Sequence, residues 1–99
     1  MTNLRKLAEG KPCQIRLPLV CNFDPATTVL AHYRMAGMCG SAQKPPDECA
    51  AWACSTCHDV VDGRVRHEHY SLAQAKAMHL EGVLRTLQEL SRLGYKMKL

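Results

Sequence analysis

The stretch Cys54-Ser55-Thr56-Cys57-His58-Asp59 decides how this chain is read. Two thiolates three positions apart can close on one zinc ion from a turn or a helix start. The same spacing followed by His is also the attachment pattern of a c-type haem, and C-x-x-C alone is a redox dithiol. A haem would find axial ligands in Met78, His79 or Met97. Against it stand four further cysteines, a cluster in mid-chain and an N-terminus, Met1 to Lys11, with no apolar export segment. A thioredoxin-like dithiol needs its C-x-x-C between a strand and a helix of a βαβ unit, a pattern absent here. Structural zinc remains, in a reduced, cytoplasmic setting.

Composition supports that reading. Ninety-nine residues suit one small domain over 1–99, poor in buried area for its length. Aromatic residues make up only 5% of the chain, so the core leans on Leu, Val, Met and Ala, and chains this lean often recruit a metal. Cys13 and Cys21 are candidates to complete the zinc pair Cys54 and Cys57; Cys49 or Cys39 can substitute for one of them. No apolar run is long enough to span a membrane. The net charge is +4, with Asp47, Glu48, Asp59, Asp62 and Glu68 grouped between two basic ends. An acidic middle within a basic surface suits a cation site facing an anion such as nucleic acid, or an ordinary solvated surface.

Local signals give the order of elements. Asn3 or Thr2 caps a helix over Leu4–Glu9, stopped by Gly10 and Pro12. Cys13 to Cys21, turning at Pro18, suggests a strand or short hairpin, and Asp24-Pro25 a turn. Thr27 to Tyr33 is rich in β-branched and aromatic residues and reads as a strand. A loop follows from Gly37 to Pro46, then a helical stretch from Asp47 to about Asp62. Ser71 caps a long helix ending near Leu93 before Gly94. Its apolar stripe, Leu72, Ala75, Leu80, Val83, Leu84, Leu87 and Leu90, fits a core face or a homodimer interface.

On a helix His58 and Asp62 share a face, so they can present an imidazole and a carboxylate to a second divalent ion, with His32 opposite. A metal-bound phosphate beside a neutral His is the minimum for phosphodiester hydrolysis. His58 as a zinc ligand or surface residue, and His32 as a half-buried strand residue, are the plainer alternatives.

The order Ala31-His32-Tyr33-Arg34, Gly37-Met38-Cys39-Gly40, Asp47, then Ala53-Cys54 to His58 resembles the zinc-bearing HNH (ββα-metal) nucleases. More closely, Cys13, Arg16-Leu17-Pro18 and Cys21-Asn22, through Leu30-Ala31-His32, Lys44-Pro45-Pro46-Asp47 and Ala53 to Asp59, resembles the small phage and prophage nucleases of the YbcO type. The resemblance covers about residues 3–65. It implies an α+β fold with an HNH-like core over about 11–66, to which the periodicity adds the C-terminal amphipathic helix over about 71–93. It implies a DNA endonuclease using Mg²⁺ or Mn²⁺, with His32 as general base and His58 at the catalytic metal or the phosphate. It makes Cys13 and Cys21 the first half of a four-cysteine zinc site, and puts Arg34 and Lys44 against phosphates. Two departures stand out. No Asn lies between His32 and His58, Asp47 being the nearest candidate, and Ala31 stands where related enzymes often place a metal ligand. These departures also suit a zinc module that binds DNA or protein without catalysis.

Overall fold

A computed structural model describes residues 3–35 and 45–96. Helix α1 (Leu4–Ala8) is started by Asn3, whose side chain accepts from the amides of Arg5 and Lys6. A single 3₁₀ turn, Pro25–Thr27, then leads into strand β1 (Val29–His32). Strand β2 (Ala50–Ala53) pairs with it antiparallel, Leu30 opposite Trp52 and His32 opposite Ala50. Helix α2 (Ser55–Val61) follows after one residue, and helix α3 (Leu72–Arg92) closes the order. The fold is small and α+β, with a two-stranded sheet and a long C-terminal helix.

Three expectations are corrected. The helical stretch over Asp47–Asp62 is a strand followed by a short helix. Ala50, Ala51 and Ala53 favour helix intrinsically, but all four β2 residues are buried, and burial between neighbours outweighs that preference. The backbone groups of Trp52 explain why. Its N–H donates to Thr86 Oγ1 of α3 at 3.0 Å and its carbonyl accepts from Gln14 N–H at 2.7 Å, so the strand is held on both sides. Next, Cys13–Cys21 forms no strand. It is a run of turns in which Arg16 and Leu19 adopt positive φ (50° and 68°), wrapped around the cysteine cluster rather than paired to a sheet. Finally, the strand expected over Thr27–Tyr33 shortens to Val29–His32, because Asp24 and Pro25 nucleate the 3₁₀ turn.

The capping box of Ser71 and Gln74 starts α3 as expected, but the apolar stripe divides. Ala75, Val83 and Leu90 face the core together with His79, Gly82 and Thr86, whereas Leu72, Leu80 and Leu84 are exposed. Gly82 allows the helix to approach β2: a Cβ there would lie 2.7 Å from Ile15 Cγ1 and 3.3 Å from the Ala51 Cβ. Ile15 is fully buried and cannot swing away. Gly82→Ala should therefore destabilise by about 1–2 kcal/mol by overpacking, even though alanine favours a helix by about 1 kcal/mol. Chemical denaturation reads the sign, and a stabilised variant would contradict this packing.

Candidate functional site

Two chemically distinct places share helix α2. The first is the cysteine cluster. Cys54 is the N-cap of α2, its sulfur accepting from the Cys57 amide at 3.4 Å, and Cys13 Sγ accepts in the same way from the Arg16 amide at 3.4 Å. The turn at Leu17–Cys21 delivers Cys21, and the Thr56 hydroxyl ties it to α2 by donating to the Val20 carbonyl at 2.8 Å. The sulfurs of Cys13, Cys21, Cys54 and Cys57 all lie within 4.8 Å of one another, and those of Cys21 and Cys54 are 3.7 Å apart. Zinc–thiolate bonds of about 2.3 Å in a tetrahedron require sulfur separations of roughly 3.8 Å, so the cluster fits such an ion.

Its protonation pattern agrees. A hydrogen bond from Cys57 holds the Cys13 thiol down at about 4, and that same bond pushes Cys57 upward. Burial raises Cys21 to about 11. Burial also opposes ionisation of Cys54, but hydrogen bonds from Thr56 and from the Cys57 and Asn22 amides outweigh it and lower that thiol. A metal ion would bind the thiolate already favoured at Cys13 and displace the protons still held by the other thiols. Cys49 is a free thiol outside the cluster. Lys44 and Cys39 fall outside the described residues.

The second place is a cleft of about 450 Å³ that α2 also borders, through His58 and Asp62. His32, His58, Asp62 and Arg34 all line it, joined by Arg5 and Arg64, which the sequence did not single out. Strand β1 presents His32 at its end, and α2 presents His58 and its C-cap Asp62 one turn apart. His32 Nε2 lies 2.7 Å from Asp47 Oδ1. A carboxylate only accepts, so Nε2 carries a proton, and in the neutral ring the lone pair is then on Nδ1. Asp47 thus occupies the role of an orienting partner to His32, while Arg5 Nε approaches the same carboxylate at 3.6 Å. Asp62 is held by Arg64 Nε at 2.9 Å. Among the described residues the four cysteines form the only group of three or more potential ligands drawn this close, so a cation at His58 and Asp62 would complete its shell with water and phosphate oxygens.

Beside the cleft sits His79, a residue that would serve the haem alternative as an axial ligand. His79 is buried, and its Nε2–H donates to the Ala31 carbonyl at 2.9 Å, fixing the residue before His32. Burial lowers its pKa, with the Ala31 hydrogen bond opposing. A histidine depressed in the folded state contributes stability above its unfolded value near 6.5 and loses it as pH falls through the folded value. Melting temperature should therefore drop between pH 7.5 and 5.5 in excess zinc, and less steeply in His79→Gln; equal slopes would remove His79 as the cause.

Comparisons with known proteins bear on this geometry. A family model described as "Putative nuclease YbcO" matches residues 2–95. "Putative nuclease YbcO" of Escherichia coli strain K12 is 51% identical over 87 residues, covering 87% of this chain and 88% of the relative. A protein of the same description from Enterobacteria phage 82 has the same identity and coverage. A solved structure, "Structure of a putative bacteriophage protein from Escherichia coli str. K-12 substr. MG1655", superposes with a TM-score of 0.77 at 43% identity, over 91% of this chain and 98% of that one. With a family model matched along nearly its whole length and half-identical relatives, the chain belongs to the YbcO family.

Proposed function

We propose that this protein is a phage-type, metal-dependent endonuclease that hydrolyses DNA phosphodiester bonds in a bacterial cytoplasm, on an HNH-like ββα core. The observation that carries the reading is the His32–Asp47 pair at 2.7 Å, set at a cleft that also holds His58, Asp62 and Arg34. Cys13, Cys21, Cys54 and Cys57 would hold a zinc ion that ties the fold together. Mg²⁺ or Mn²⁺, held by His58 and Asp62, would offset the charge that builds on phosphorus. His32 Nδ1 takes the proton from the attacking water, and Asp47 keeps the imidazole in the tautomer that can do so. Arg34 contacts the phosphate, as does Lys44 if the resemblance extends to it. The family name and the order β1–β2–α2 support the reading. Incubating plasmid and branched DNA with Mg²⁺ or Mn²⁺ tests it: the wild type should cut, and His58→Ala should not.

The burial of Ala31 in the core, at 1% exposure, favours a second reading. The position that the HNH resemblance associates with a metal ligand is filled by packing, as suits a zinc module that binds DNA or protein without turnover. Salt-sensitive DNA binding with no cleavage in any metal would support this alternative. Nicking abolished by His58→Ala would end it.

The exposed Leu80 and Leu84, one turn apart on α3, are the face a second copy would cover in a symmetric dimer. Molecular mass should then rise with concentration, and Leu84→Glu should suppress the rise. A monomer at every concentration removes the dimer.

A further inference from the structure

The cleft does not end at His32. A second hollow of about 500 Å³ adjoins it, sharing His32, Arg34 and Asp62 as a common wall, and the chemistry of its far side is different. The first hollow is walled by the guanidinium groups Arg5, Arg34 and Arg64. The second is walled by Tyr33, Val61 and Leu72, with Lys76 at its edge. Guanidiniums suit phosphates. An apolar wall carrying an aromatic ring suits the flat face of a base.

Tyr33 is half-buried and lines the second hollow. Its ring packs T-shaped with that of His79, the centroids 5.3 Å apart and the planes at 71°. The ammonium of Lys76, an exposed residue of α3, lies 5.5 Å from the ring centroid. A solvated lysine can occupy that position only if the ring face opens towards solvent. Packing against buried His79 on one side and contact with only a solvated lysine on another make the ring a platform beside the phosphate cleft.

From this juxtaposition we infer that the second hollow is a nucleoside site, which takes an unpaired base next to the phosphate held in the first. The inference rests on the nuclease reading and specifies its substrate: single-stranded or locally opened DNA in preference to intact duplex. In a continuous duplex the bases are stacked inward and cannot reach Tyr33; an unstacked nucleotide can lay its base on the ring while Lys76 turns to the flanking phosphate. Stacking of this kind is worth about 1–3 kcal/mol per base, a preference of roughly 5- to 150-fold.

Fluorescence anisotropy of the zinc-loaded protein, in buffer without Mg²⁺, Mn²⁺ or chelator, tests this without turnover, using a labelled 12-mer, alone and annealed to its complement. The single strand should bind at least fivefold more tightly. Tyr33→Leu should lower single-strand affinity to that of the duplex and leave duplex affinity unchanged, while Tyr33→Phe keeps the preference. A 2-aminopurine in the single strand should be quenched by the wild type and by Tyr33→Phe, but not by Tyr33→Leu. Lys76→Ala, at an exposed position, should weaken single-strand binding and reduce its salt dependence by about one ion. Duplex bound as well as single strand, or Tyr33→Leu weakening both alike, would overturn the nucleoside site while leaving the nuclease reading intact. No binding of either form would overturn both.

Discussion

Cys57→Ser is expected to cost the protein its fold under conditions in which Cys49→Ser is nearly silent. Both are cysteine-to-serine changes, but only Cys57 belongs to the four-sulfur cluster; Cys49 lies outside it. The cluster joins the irregular Cys13–Cys21 turns to the start of α2. The turns of Cys13–Cys21 contribute Ile15 and Leu17 to the core but pair with no strand, and they carry two non-glycine residues at positive φ. Such backbone persists only when its surroundings impose it. A metal present at a thousand times its dissociation constant stabilises by about 4 kcal/mol, and structural zinc in small domains commonly exceeds this. Losing ~3 kcal/mol or more should lower the melting temperature by about 12–24 °C in a chain of this size. Elemental analysis should find one zinc per wild-type chain and much less in Cys57→Ser. Chelation of the wild type should reproduce the loss. A zinc-free wild type with unchanged melting would refute the structural role of the cluster.

The second large effect concerns the cleft. If the protein cuts DNA as proposed, His32→Ala should lower turnover by about 10²–10⁴-fold with little change in DNA affinity, because the residue removes a proton rather than holding substrate. Asp47→Asn is the more informative variant. It keeps the shape but can donate to Nε2, which favours the tautomer carrying its proton on Nδ1 and leaves the lone pair on Nε2, the nitrogen that faces away from the water. Turnover should fall by at least tenfold while melting temperature stays within a few degrees, since Asp47 is partly exposed. Identical cleavage by wild type and His32→Ala would sink the enzymatic claim. Full activity in Asp47→Asn would leave His32 as the base but deny Asp47 its orienting role.

Parts of this arrangement were legible along the chain. The capping residues Asn3 and Ser71 and the stop at Gly94 announce α1 and α3, because capping depends on neighbours in sequence. Cys54 and Cys57 announce the zinc pair for the same reason, since three residues fix their separation. The pairing with Cys13 and Cys21 stayed open beside Cys39 and Cys49, because ligand exchange among six cysteines is a question of distance through space. The strand at Ala50–Ala53 was illegible: alanine says helix, and only Thr86, Gln14 and β1 around Trp52 say otherwise. The division of the α3 stripe was hidden likewise, since periodicity marks an apolar helix face without saying which half of it another element covers.

By itself, then, the sequence determined the local chemistry: two thiolates in a tight turn, a histidine directly after them, a carboxylate one helical turn further on, and a long capped helix. Those are consequences of covalent spacing and of hydrogen bonds between near neighbours. Tertiary structure alone decided which sulfurs lie close enough to share an ion, that Asp47 reaches across fifteen residues to His32, and that Arg5 and Arg64 converge on the same cleft. Each of these depends on where β2 settles between β1 and α3. That position comes from the burial of small alanines and of Trp52 against several distant segments at once, which no local pattern encodes.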